Sequence, residues 1–348
     1  MARMVSFISP RVAEVVDEES QSLGADEVRI ATLYSGISAG TELTAYRGSN
    51  PYLNKKWDEG RRLFVDGSTS FEYPVNGWGY EEVGEVCEIG SDVTSVSVGD
   101  VIWGTWGHRT ETVQKAERAA RRILPPGVDP RIGVFSQIGA IALNVVLDAD
   151  IHVGETVAVF GLGVPGQLVA QLARLNGARV IGVDGVASRR ELATRLGADV
   201  VVDATEGGVA ERIRSLTDGR GADVCLEVTG NYHALHEAIR SVAYSSRVCV
   251  AGFMQGEGAG LRLGEEFHHN RVAVIASQIS GVAPVLRHRW DEHRLQTTAV
   301  GLAVDGRLRV TDLITHEMPL ESGREAFELL DSTPQNVLQV VLDARTAR

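Results

Sequence analysis

Thr156-Val-Ala-Val-Phe-Gly161-Leu-Gly163-Val-Pro-Gly166-Gln-Leu-Val-Ala-Gln-Leu-Ala-Arg-Leu-Asn-Gly177 reads as a strand, a tight glycine turn and a helix. The β-rich run from Val157 to Phe160 leads into Gly-x-Gly-x-x-Gly, and Pro165 suits a first helical turn. Leu168, Val169, Leu172 and Leu175 recur at helical spacing, with Gly177 placed to end the helix. Gly161 permits the sharp turn, Gly163 lets backbone approach a pyrophosphate, and Gly166 lets helix pack close to strand. N–H groups left unpaired at the helix start, from Val164 onward, would receive the phosphate. Three glycines in a strand-turn-helix also arise by chance. Against chance stands a second strand, Arg179-Val-Ile-Gly-Val-Asp184, which puts a carboxylate 18 residues after Gly166, where a dinucleotide fold holds the adenosine ribose.

The 348 residues suggest two domains, each able to bury a sizeable interior. Hydrophobic content of 44% with 23% charged residues is ordinary for a globular enzyme and argues against disorder. A formal charge of −12 argues against nucleic acid or an acidic membrane surface as partner. No apolar run approaches the roughly 18 residues of a membrane span, and the start, Met1-Ala-Arg-Met-Val-Ser, lacks a signal-peptide core. A cytoplasmic protein is expected. Cys87, Cys225 and Cys249 lie far apart in β-like runs and read as buried small hydrophobes, not as a disulfide framework or a thiolate metal site.

Residues 1 to about 140 show short β-segments broken by glycine, the pattern of a β-barrel or sandwich. Within them, residues 46–78 form a poorly periodic stretch with Trp57, Phe64, Phe71, Tyr73 and Trp78, read as a substrate-facing loop. Beyond the glycine turn the βα alternation continues. Ser188-Arg-Arg-Glu191 predicts a capping box opening a helix that ends at Gly197, before a strand at Val200–Asp203. Helices near Ala210–Thr217 and Tyr232–Val242 alternate with strands near Asp223–Val228, Arg247–Ala251 and Val272–Ala276, which completes six strands of a doubly wound sheet. A helical stretch at Arg287–Arg294, a helix near Glu321–Leu330 and a strand at Val337–Leu342 follow.

These residues resemble the medium-chain dehydrogenase/reductases over nearly the whole chain. The resemblance rests on Gly36-Ile-Ser-Ala-Gly-Thr-Glu42, Gly79-Tyr-Glu-Glu-Val-Gly-Glu-Val86, Val98-Gly-Asp-Val101, Gly154-Glu-Thr-Val-Ala-Val-Phe-Gly-Leu-Gly163, Leu196-Gly-Ala-Asp199 and Asp312-Leu-Ile-Thr-His316. The Ser-Ala-Gly-Thr-Glu and Gly-Tyr-Glu forms look like the branch that includes the bacteriochlorophyllide dehydrogenases. The resemblance implies an α/β protein: a GroES-like β-rich catalytic domain of residues 1–140 plus 283–348, with an inserted Rossmann domain of residues 141–282. It also implies a homodimer formed partly by a nucleotide-domain edge strand, for which the apolar run Val272–Ala276 is the candidate.

Where the sequence departs from the zinc-dependent members, it informs most. Ser38 or Ala39 stands at the position of their first cysteine ligand, Tyr80 replaces the histidine of Gly-His-Glu, and Ser136–Asn144 offers no Cys, His or carboxylate for a third ligand. Three cysteines in all exclude the four-cysteine zinc lobe. The resemblance makes Thr41 the hydroxyl of a proton relay, puts Thr44 where a relay histidine often stands, and retains Glu81. Without a metal Lewis acid a hydroxyl donor is the natural substitute. Tyr80 is the first candidate, Thr41 the second, and Glu81 an orienter or base; Tyr80 alternatively only fills the vacated metal cavity. Ser38, Trp57 and His108 are assigned to the substrate pocket.

For the cofactor, Gly161, Gly163, Val164, Pro165, Gly166 and Asp184 are joined by Arg189, Thr229, Gly252 and Ser277. Arg189 and Arg190 are able to grip a 2′-phosphate, but the carboxylate of Asp184 repels it, which favours NAD over NADP. His233 and His236 share a helical face and read as a solvated or capping pair in preference to a metal site, while His268-His269 marks the start of a core strand. The expected activity is zinc-independent, NAD(H)-linked interconversion of an alcohol and a ketone on a small organic metabolite. Two alternatives stay open: reduction of an activated C=C or C=N bond (enone, quinone or iminium), and a nicotinamide-binding protein that has lost catalysis.

Overall fold

The computed structural model describes residues 1–347 and divides into two compact units, residues 1–137 with 311–348 and residues 138–310. The return to the first unit therefore begins at Thr311, where the sequence suggested 283. Residues 283–310 stay with the nucleotide-type unit because a helix, Glu292–Val304, buries Leu295, Ala299, Val300 and Ala303 there. That helix also corrects the expected one at 287–294: the Asp291 side chain accepts the Arg294 N–H and sets the start four residues after the first arginine.

In the first unit, six strands share a mostly antiparallel sheet. Glu27–Ile37 is its centre, flanked by Glu82–Ile89 and Gln339–Asp343, and also pairs with Glu111–Lys115. Val28, Ile30, Val86 and Ile102 alternate inward into one apolar cluster, as period-two patterning requires. Cys87 follows Val86 and points outward, so it is exposed, unlike the buried Cys225 and Cys249. Residues 39–47 form a helix that the sequence reading missed, ended by Gly48 at φ 78°. The stretch after it is ordered. Asn50 caps a turn at Pro51–Leu53, and Lys56–Asp58 pairs with Leu63–Val65 in a hairpin that sets Trp57 opposite Phe64.

The second unit holds six parallel strands in the order Val200–Asp203, Arg179–Asp184, Thr156–Phe160, Ala222–Glu227, Val242–Val250, Ala273–Ala276. The order reverses at Thr156–Phe160, the switch point beside which doubly wound folds bind ligands. Phe160 leads into the glycine turn and the helix Val164–Leu175, whose Leu168, Val169 and Leu172 are buried while Leu175 faces solvent. The helix Ala187–Arg195 starts without a side-chain cap, so Ser188 is not its capping residue. One helical run, Pro130–Asp148, has the length and hydropathy of a membrane span, contrary to the sequence reading; 72% of its apolar window is buried within the protein, as in a core helix.

Candidate active site

The helix Ala39–Arg47 begins with half a capping box. Glu42 reaches back to accept the backbone N–H of Ser38 (2.9 Å), but the Ser38 hydroxyl does not cap in return. It is engaged instead by the phenol of Tyr80, at 2.5 Å, and the same phenol bonds Thr41 Oγ1 at 3.1 Å. Three hydroxyls thus meet at one point, brought together by a helix start and the residues just before the strand Glu82–Ile89. Burial, then the nearby Glu81, push the Tyr80 phenol up, and the hydroxyls of Ser38 and Thr41 only partly offset this. At neutral pH Tyr80 is a neutral donor.

Behind the hydroxyls lies a buried polar chain. The other oxygen of Glu42 pairs with His108 Nε2 (2.6 Å), His108 Nδ1 meets Ser35 Oγ (2.7 Å), and Ser35 donates to Glu82 (3.2 Å). Glu82 also accepts the Trp106 backbone N–H at 2.6 Å. Burial opposes charge on His108, but Glu42 by charge and hydrogen bond, together with Glu82, outweighs it, so its pKa is raised and the imidazolium form is favoured. With 1% of its surface exposed and both nitrogens engaged, His108 does not line a substrate pocket as the sequence suggested; it anchors Glu42, and through it Ser38.

Glu81 is fully buried, its side chain lying against Gly36 and near the Gln339 amide (3.4 Å), with Oε1 lacking a hydrogen-bond partner. Burial, then repulsion from Glu42 and Glu82, hold its carboxyl well above the usual carboxylate range. A shift in this direction favours the acid form, which fits poorly with the role of resting base. Thr44 is spent locally, donating to the Thr41 carbonyl and accepting from Asn50. Trp57 packs on Phe64 at 5.0 Å in the hairpin, part of an aromatic patch with Tyr52 and Phe71, and is not among the hydroxyl cluster.

As a seat for zinc, the hydroxyl cluster offers oxygen donors only. Zinc sites are built from thiolate, imidazole and ionised carboxylate. Burial raises the pKa of both the Tyr80 phenol and the Glu81 carboxyl, which favours their protonated forms, and the imidazole of His108 is occupied on both sides. The residues do not fit the metal. Among the described residues the one trio of His, Cys, Asp or Glu with converging ligand atoms lies in the other unit.

In the second unit the glycine turn fits a pyrophosphate. Gly161 has φ 94°, a side chain on Gly166 would stand 1.9 Å from the Gly161 carbonyl oxygen, and a side chain on Gly163 would meet nothing nearer than 4.0 Å. Gly163 is the open face of the turn, with the first N–H groups of the helix, from Val164 and Gly166, beside it. A cavity of about 320 Å³ borders the turn, lined by Gly161, Asp184, Thr229, Asn231, His233 and Glu237 among others. Asp184 holds the turn itself, accepting the N–H of Leu162 (2.7 Å) and of Val186 (2.7 Å), and each oxygen keeps a lone pair for a ribose hydroxyl. Arg189 lies 4.0 Å from Asp184, and Arg190 is bound to Asp203. Gly252 packs tightly on Gly230, and Ser277 bonds Asp148; neither borders the cavity. Asn231, His233 and Glu237 were not assigned to the cofactor from sequence; Asn231 caps the helix Tyr232–Ser241 that follows the strand Ala222–Glu227, and the other two lie on it.

A zinc-binding dehydrogenase family profile matches residues 165–296. D-guloside 3-dehydrogenase of Escherichia coli is 31% identical over 340 residues, covering 95% of this chain and 97% of that protein. L-threonine 3-dehydrogenase of Caldanaerobacter subterraneus is 28% identical, covering 95% of each. Among solved structures, 2R,3R-butanediol dehydrogenase from Bacillus subtilis superimposes with a TM-score of 0.78 at 21% identity, over 99% of both chains, and shares the fold.

Proposed function

The chain belongs to the medium-chain dehydrogenase/reductase superfamily and is an oxidoreductase of the alcohol-dehydrogenase kind, and we propose that it interconverts a secondary alcohol and a ketone with NAD(H), without a catalytic zinc. The carrying observation is the triple hydroxyl contact of Tyr80, Ser38 and Thr41 at the place where a zinc member needs ligands. The names of the relatives, a guloside and threonine, point to a hydroxyl-bearing metabolite as substrate.

When bound, the nicotinamide supplies hydride acceptance and donation. The protein's own task is the proton and the charge on the substrate oxygen. In the reductive direction the Tyr80 O–H turns from Thr41 to the substrate carbonyl oxygen. Thr41 and Ser38 then both donate to the phenolic oxygen, which stabilises the phenolate left behind until a proton from solvent, passed through one of these hydroxyls, restores the phenol. Glu42, fixed by His108, holds Ser38 in place. The turn at Gly161–Gly166 holds the pyrophosphate, and Asp184 the adenosine ribose, so NADH is preferred to NADPH. The chain works as a homodimer.

A panel of sugars, glycosides, polyols and hydroxy acids with NAD or NADP, followed at the NADH absorbance, tests this. Turnover is expected with NAD on at least one secondary alcohol, with EDTA-dialysed enzyme keeping its kcat. A kcat restored only by added zinc, or a preference for NADP, contradicts the reading.

A further inference from the structure

On the helix that borders the cavity, but outside its lining, the second unit contains a buried histidine whose ring nitrogens have no hydrogen-bond partner. His236, on the helix Tyr232–Ser241, keeps 5% of its surface exposed, and neither ring nitrogen makes a hydrogen bond. Buried imidazoles are rarely left so, because losing water without a replacement partner is costly. Glu265 and Glu266, at the start of the short helix Glu266–His269, bring carboxylate oxygens toward it, and the ligand atoms of the three residues lie within 4.8 Å of one another. Glu266 Oε2 is likewise buried without a partner.

We propose that His236, Glu265 and Glu266 bind one divalent transition cation of the zinc type, which ties the segment 252–265 to the helix Tyr232–Ser241. Imidazole plus two carboxylates is a zinc donor set, with water completing the shell. Tetrahedral ligands about 2.0–2.1 Å from zinc stand about 3.4 Å apart, so binding requires the three side chains to draw together from their present separation of up to 4.8 Å. The surroundings suit a cation. Arg262 holds the other side of Glu265 (2.8 Å) and Arg240 that of Glu266 (3.3 Å), so both carboxylates are oriented from behind, as ligating groups usually are. Arg240 is itself shared with Glu237 and Glu211. The two glutamates lie 29 and 30 residues beyond His236, which is why sequence reading paired His236 only with His233.

The segment so tied carries Phe253, whose backbone packs on Gly230, and Gly256, whose carbonyl accepts the Tyr232 hydroxyl (3.0 Å). The cation is thus a structural clamp. The test is calorimetric titration of the EDTA-dialysed full-length protein with Zn²⁺, beside thermal unfolding with and without the metal. One tight equivalent per chain and a raised Tm are expected. Glu265→Gln combined with Glu266→Gln, a change near the surface, should weaken binding about 100-fold and abolish the Tm shift; His236→Gln should do the same. No tight equivalent in the parent protein, or unchanged affinity in the double variant, overturns the proposal. Tyr80, Ser38 and Thr41 are intact in both variants, so a zinc ion at the hydroxyl cluster would survive the change and be told apart.

Discussion

Tyr80 is poised by opposed effects: burial and Glu81 favour the neutral phenol, while Ser38 and Thr41 are placed to stabilise the phenolate. On the proposed mechanism, such a phenol would keep its proton until a substrate oxygen demands it. Glu81 illustrates the same physics in stability. Its carboxyl is held well above the ordinary value of 4.5, so the folded chain keeps a proton that the unfolded chain gives up. That contribution is complete at acid pH and is lost as pH rises from about 4.5 through the folded value. Glu81→Gln, which copies the acid form, should therefore gain Tm relative to the parent as pH goes from 5 to 9. A gap independent of pH would show that the carboxyl ionises freely in the fold.

Among the elements, the glycine turn separates fold from binding. Gly163 has an ordinary φ of −66° and open space where a side chain would go, whereas Gly166 abuts the Gly161 carbonyl. Gly163→Ala should change stability by no more than about 0.5 kcal/mol yet weaken NADH binding at least tenfold by filling the pyrophosphate's place. Gly166→Ala should cost about 1–3 kcal/mol as an overpacked contact. Parent-like NADH affinity in Gly163→Ala would remove the pyrophosphate from this turn. The turn was legible in sequence because its determinants lie within a dozen residues, and Asp184 because the strand before it repeats the same pattern. The helix Ala39–Arg47 was not, since Gly40, Thr41 and Thr44 are weak helix formers and tertiary contacts hold it. Tyr80 and Thr41 were visible as departures from a family pattern. The chain Glu42–His108–Ser35–Glu82 was invisible because its members are 7 to 73 residues apart and join only when the sheet forms. His108 accordingly looked like a pocket residue, and Glu42 like an unremarked acid.

For the whole molecule, the strand Ala273–Ala276 closes the parallel sheet and pairs on one side only, with Val274 43% exposed. An apolar edge of this kind is a template for pairing with another copy. Light scattering should give twice the 37.4 kDa chain mass at micromolar concentration; a single-chain mass removes the dimer. The account as a whole turns on whether a phenol does what zinc does elsewhere in the superfamily. The direct measurement is kcat of Tyr80→Phe against the parent, both dialysed against EDTA, on the best alcohol from the panel, with NADH affinity measured alongside. Loss of the proton donor should lower kcat by about 10²–10⁴ while NADH affinity stays the same; a kcat equal to the parent's would make Tyr80 a filler of the cavity and contradict the account.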